Sequence, residues 1–314
     1  KPQQALSYVG FAVANNLKKW ELKVSKGAFY NTTTKNVYVN TATINGETSE
    51  LSLPYTTGCY DCVCYVTNEK DNGENSLRAT IDSAHAGVCR TIEFAIINSS
   101  IIELESELRP IEATIHIKGK AGIEQITIKG NESFTGFNVI ADGFKMNNLD
   151  LEEWQTAVLL GGDDGNIEAV NIESSKVGYQ INGEGNTLLG SCINCAIENE
   201  YGFSTEKGIV VSGYNNVIGS TNSPNKITKN NQLAIEVNSG TGNQILYNQL
   251  TESRQAILHT AAGNNNYNAP RNLVAEYEGE GANLTATAKV GDRVQLFSSD
   301  ITGKSAAVFI MERT

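Results

Sequence analysis

The chain has 314 residues, 40% of them hydrophobic and 7% aromatic, with a formal net charge of −11. That length suits one long solenoid or two to three modules. The acidic balance argues against a nucleic-acid partner, because neutralising phosphate needs clustered Lys and Arg, and no run of about 18 apolar residues exists to span a bilayer.

Taken in chain order, residues 1–66 read as a separate β-rich module. Trp20, Leu22 and Val24 alternate, as do Val37 and Val39, around a polar turn at Asn31 to Lys35. Asp71, Asn72, Gly73 and Glu74 form a second polar turn. The side-chain oxygens of Asp71, Asn72 and Glu74 are candidate ligands for calcium (Ca2+). They lack the spacing of a defined calcium loop, so a plain turn is the preferred reading. Asn75 or Ser76 can N-cap a helix over about residues 76–86. Leu77, Ile81 and Ala84 follow helical spacing, and Gly87 can end it. A short amphipathic helix there would cover the raw end of a solenoid, whose first coils are strands at Thr91 to Ile97, Ile101 to Leu108, Thr114 to Ile117 and Gln125 to Ile128.

Five later segments repeat one pattern: small, apolar, variable, apolar, turn. They begin at Ala157, Gly178, Gly208, Ala234 and Ala256, spaced 21, 30, 26 and 22 residues apart. The two-residue side-chain period puts Val158/Leu160, Tyr179/Ile181, Ile209/Val211, Ile235/Val237 and Ile257/His259 on one face. No single short strand buries such a face alone, but strands stacked about 4.8 Å apart share a core. A second marker follows each segment: Gly165-Asn166, Gly185-Asn186, Asn215-Asn216, Gly242-Asn243 and Gly263-Asn264. Gly and Asn suit corners because they tolerate positive φ. The pattern predicts an all-β chain with a parallel β-helix over residues 67–270. A sandwich is the alternative, and a register kept through five coils weighs against it. The outward stripe is Leu159, Gln180, Val210, Glu236 and Leu258. Three of these are apolar, so this face is expected to be covered.

From residue 271 to residue 314 the pattern changes to longer strands, at Leu273 to Tyr277, Leu284 to Ala288, Arg293 to Phe297 and Ala307 to Met311. These predict part of a β-sandwich, completed by neighbouring chain.

The six cysteines are Cys59, Cys62, Cys64, Cys89, Cys192 and Cys195. Two CxxC spacings invite a zinc reading. They lie in different modules without nearby His, so disulfides in an oxidising compartment fit better.

Glycoside hydrolysis needs paired carboxylates at a defined separation. The candidates are Asp163 and Asp164, in the turn Gly161 to Gly165, and Glu184 at the next corner. No Lys or Arg occupies those corners to act as the base of a lyase, and a structural turn is the preferred reading. Tyr201, Phe203 and Tyr214 lie in and beside the longest insertion. They are candidates for stacking on sugars, with core packing as the competing reading.

The run Asp71-Asn72-Gly73-Glu74-Asn75-Ser76-Leu77-Arg78-Ala79-Thr80-Ile81-Asp82-Ser83-Ala84 resembles the opening of right-handed parallel β-helices in bacterial secreted and surface adhesins. Thr91-Ile92-Glu93-Phe94, Asn216-Val217-Ile218-Gly219 and Asn225-Lys226-Ile227-Thr228-Lys229-Asn230 resemble their coils, and Asn268-Ala269-Pro270 their exit into a following module. The likeness covers about residues 66–300, and departs from the pattern at Thr80, where Ala is usual, and in the cysteines. It implies a right-handed, pectin-lyase-like helix in a modular exported protein, some of whose kind use the type IX route, and it implies no catalytic residues. The expected function is therefore a structural or adhesive component of the extracellular cell surface, including a filament subunit. Its expected partners are copies of itself, neighbouring modules or polysaccharide. A carbohydrate-active enzyme or carbohydrate-binding module on the same helix is the alternative.

Overall fold

The structure is a computed structural model. It describes residues 62–97, 100–122, 125–195, 205–260, 262–265, 271–278, 281–288, 290, 294–298 and 308–313, together with the backbone of seven short strands before Cys62.

The five repeated segments are consecutive strands of one parallel sheet. They span Thr156–Leu160, Val177–Ile181, Lys207–Val211, Leu233–Val237 and Gln255–His259, and are preceded by Thr135–Val139. Val158, Tyr179, Ile209, Ile235 and Ile257 fall in one column, and Leu160, Ile181, Val211, Val237 and His259 in the next. Up to Val237 every member of both columns is at most 2% exposed. At the last strand Ile257 is 38% exposed, and His259 is exposed too, because among the described residues no further strand follows in that sheet. Together with a second, thirteen-stranded sheet, the strands make a parallel β-solenoid of about seven turns.

Turns are made by single residues in the left-handed region. Within the paired strands Lys145–Glu152 and Asn166–Glu173, the bend falls at the matched pair Asn148 (φ 56) and Ala169 (φ 53). Another corner carries Gly143, Asp164, Gly185, Asn215 and Gly242 in register, all at positive φ.

Buried amides join the turns beside that corner. The backbone N–H of Gly165 donates to Asn186 Oδ1 at 2.7 Å, that of Asn186 to Asn216 Oδ1 at 2.8 Å, and that of Asn216 to Asn243 Oδ1 at 3.0 Å. Asn243 N–H continues to Asn264 Oδ1 at 3.1 Å. Each side chain satisfies a buried donor that the irregular corner leaves without a strand partner. The first marker is one residue out of step: Gly165, not Asn166, aligns with Asn186, and Asn166 opens its strand opposite Thr187. Other corners carry similar polar ladders, one through Ser191 and Asn225, another through Ser175, Thr205, Asn230 and Ser253.

The helix runs Leu77–His85. Ser76 is its N-cap, with Oγ accepting from Ala79 N–H at 3.3 Å, and Gly87 (φ 74) ends it through Gly87 N–H to the Ala84 carbonyl. Leu77 and Ile81 are fully buried. Arg78 ties the helix to the next segment by donating to the Ser106 and Glu107 carbonyls. The first three early strands are shorter than expected, Thr91–Phe94, Ser100–Glu103 and His116–Lys118, while the fourth, Ile126–Lys129, keeps its length and shifts by one residue.

Ahead of the solenoid, the short strands form a three-stranded and a four-stranded antiparallel sheet. By compactness the chain divides into residues 1–64 with 83–91, and residues 65–82 with 92–314. At the other end, Arg271–Glu278 pairs with Gly281–Thr287, and Val294–Ser298 with Val308–Arg313. These are two separate two-stranded antiparallel sheets. The second pair touches the last turn, where Tyr247 N–H donates to Gln295 Oε1 at 3.0 Å and Tyr247 O–H to Glu312 Oε2 at 2.9 Å.

Cys64 and Cys89 form one disulfide, with Cα atoms 5.7 Å apart, and Cys192 and Cys195 another, with Cα atoms 5.9 Å apart. Cys62 is also disulfide-bonded, and Cys59 lies outside the described residues. On the outward stripe Val210 is buried, while Leu159 and Leu258 are half-buried, so none of the three is fully exposed.

Candidate functional site

Register, rather than sequence proximity, assembles the site. Asp142, Asp163, Glu184, Tyr214 and Thr241 occupy the same corner position on successive turns, each just before the left-handed residue of its turn. All five are exposed, Tyr214 at 52%. The corner therefore presents three carboxylates in a column, about 4.8 Å apart per layer, ending on an aromatic ring.

The carboxylates also hold the turns together. Asp142 Oδ1 accepts from Asp163 N–H at 2.9 Å, and Asp163 Oδ1 from Glu184 N–H at 2.7 Å. Glu184 Oε1 accepts from Asn215 Nδ2 at 2.8 Å. A carboxylate has about four acceptor positions, so one tethered oxygen leaves capacity for a ligand hydroxyl. Asp164 is not in this column. It is the left-handed corner residue itself, at φ 55, and its N–H donates to the Glu184 carbonyl at 2.8 Å.

The structure thus brings Asp163, Glu184 and Tyr214 together. Tyr201 and Phe203, expected to cluster with Tyr214, lie outside the described residues. Asp71, Asn72 and Glu74 do not converge as ligands: Asp71 is ion-paired with Arg78 at 2.7 Å and accepts from the Asn72 amide, while Glu74 contributes its backbone carbonyl to Asn68. Among the described residues no group of three or more His, Cys, Asp or Glu is arranged to hold a metal ion.

One further group escaped the sequence reading. Asp150 and Glu152 face outward, alternating with buried Leu149 and Leu151. Burial raises the Asp150 carboxyl above its usual value, opposed by the hydrogen bond from Asn171 at 2.8 Å. Burial likewise raises Glu152, opposed by Lys129 and reinforced by Glu153 and Asp150. Across the sheet Glu152 lies between Lys129 and Glu173. The available signal was the 21-residue offset between Asp150-Leu151-Glu152 and Asn171-Ile172-Glu173.

Comparison of the chain with protein-family models, with curated proteins and with solved structures gave no match.

Proposed function

We propose that this chain is a structural and adhesive solenoid module of an extracellular cell-surface protein, contacting polysaccharide along the corner column. The observation that carries the reading is the double use of that column. Asp163 and Glu184 each accept a hydrogen bond from the following turn, while Tyr214 and the carboxylate edges stay exposed. Groups that lock a scaffold are poorly placed to move protons, but well placed to present a rigid, repeating acceptor surface. Glycan-array binding by the intact chain, weakened in Tyr214→Ala, without release of reducing or unsaturated ends from acidic polysaccharides, is the expected result. Turnover lost in Asp163→Ala would overturn it. Assembly with copies of itself belongs to the same reading, and a strictly monomeric state by light scattering at high concentration would remove that part.

A second reading, a carbohydrate-active enzyme, is favoured by Asp150 and Glu152. A carboxyl whose pKa is raised by burial is suited to general-acid work. Polysaccharide cleavage abolished by Glu152→Gln would establish it in place of the first.

A further inference from the structure

We propose that Cys192–Cys195 is a thiol–disulfide exchange site, open to attack by a solvent-borne thiol, while Cys64–Cys89 is a structural bond. Cys192 and Cys195 are both half-exposed, whereas in the second pair Cys64 is half-exposed and Cys89 only 1% exposed, so a thiol reaches either sulfur of the first pair but only one of the second. Exchange requires access of a thiolate to a disulfide sulfur. The backbone carrying Cys192 and Cys195 is held without the bond. Ser191 N–H donates to Asn225 Oδ1 at 2.9 Å, Asn194 Nδ2 donates to the Thr228 carbonyl at 3.0 Å, and Asn194 Oδ1 accepts from Thr205 N–H at 3.1 Å. Ser191, Asn194 and Thr205 are buried. The pair also closes a very short loop, three residues apart against 25 for Cys64–Cys89. In the chain-entropy picture, that makes its contribution to the folding equilibrium about fifteen-fold smaller.

The sheet register sets the direction of the step. Cys192 lies opposite Lys226, an exposed cation on the same outward face, while Cys195 Sγ is 3.8 Å from the Lys226 carbonyl oxygen. An external thiolate attacks Cys195 Sγ and forms a mixed disulfide. The Cys192–Cys195 bond breaks, and Cys192 leaves as a thiolate beside the Lys226 ammonium. A second external thiolate then attacks the external sulfur of the mixed disulfide and releases Cys195, which takes up a proton and can donate to the Lys226 carbonyl. Two external thiols are oxidised to one disulfide, and the protein pair is reduced by two electrons.

The test titrates the intact chain with glutathione redox buffer, alkylates the free thiols and maps the peptides. Cys192 and Cys195 are expected to label together at lower thiol than Cys64 and Cys89, with the circular dichroism spectrum unchanged. Cys192→Ser should trap glutathione on Cys195, and Lys226→Gln should slow exchange several-fold in the otherwise intact chain. Simultaneous opening of both pairs, opening only with unfolding, or no adduct on Cys195 would overturn the proposal.

Discussion

Asp164 shows how one side chain can look like chemistry and serve geometry. Its φ of 55 matches Asn215 at 54, and the equivalent positions on other turns are Gly143, Gly185 and Gly242. Gly, Asn and Asp are the residues that tolerate this region. Asp164→Asn is therefore expected to leave stability unchanged, and Asp164→Val to cost about 2 kcal/mol, both read from urea unfolding. The adjacent ladder is less forgiving. Asn216 is fully buried, accepts from Asn186 N–H, and donates to the Gly183 carbonyl at 3.0 Å and to Asn243 Oδ1 at 3.0 Å. Asn216→Ala leaves those buried groups without partners and is expected to cost about 3 kcal/mol. Glu152 makes a pH-dependent contribution of opposite sign to the familiar salt-bridged acid. Burial raises its pKa above the usual 4.5, so the folded chain holds that proton more tightly than the unfolded chain. Stability then falls as pH rises from 4.5 through the raised value, and stays lower above it. Glu152→Gln should be more stable than the parent at neutral pH and lose that advantage below pH 4.5, as thermal unfolding at the two pH values would show.

At the scale of one turn, the limiting contact is backbone on backbone. Gly162, Gly183, Gly213 and Gly240 stack where the chain rounds the corner, and a Cβ on Gly213 would lie 1.9 Å from the Gly183 carbonyl oxygen. That atom belongs to the neighbouring turn and cannot rotate away. Gly213→Ala is expected to cost about 3 kcal/mol and to lower the urea midpoint accordingly. Here sequence and structure agree in an instructive way. The alternation of apolar residues was legible because inward positions are fully buried, and Gly and Asn were legible because corners demand positive φ. The strand Thr135–Val139 escaped, although Gly136-Phe137-Asn138-Val139 obeys the same pattern 21 residues before Ala157. Its turn carries buried Phe144 where the next turn carries Gly165 and later ones Asn186, Asn216 and Asn243, so the second marker is missing there. The corner column was hidden for another reason. Glu184 and Tyr214 are neighbours in space but 30 residues apart in sequence, and variable insertions between turns erase a constant period.

In a solenoid each turn is stabilised mainly by the turns beside it, so depth along the axis sets the energetic weight of an otherwise identical position. Ile235 and Ile257 offer a direct comparison. They share a column and adjacent strands, yet Ile235 is fully buried and Ile257 is 38% exposed. Ile235→Ala is expected to cost about 3 kcal/mol. Ile257→Ala should cost less than about 1 kcal/mol, since truncating a side chain already in water opens no cavity. Amide exchange should follow the same gradient, with slow exchange across Lys207–Val211 and fast exchange across the edge strand Gln255–His259. The comparison also bears on assembly. An edge strand with exposed inward side chains is a template for pairing with another chain. If copies stack there, the Ile257→Ala cost should rise toward that of Ile235→Ala as protein concentration increases, and exchange across Gln255–His259 should slow in step. A small, concentration-independent cost at Ile257 would instead leave the last turn as the frayed end of an unpaired solenoid.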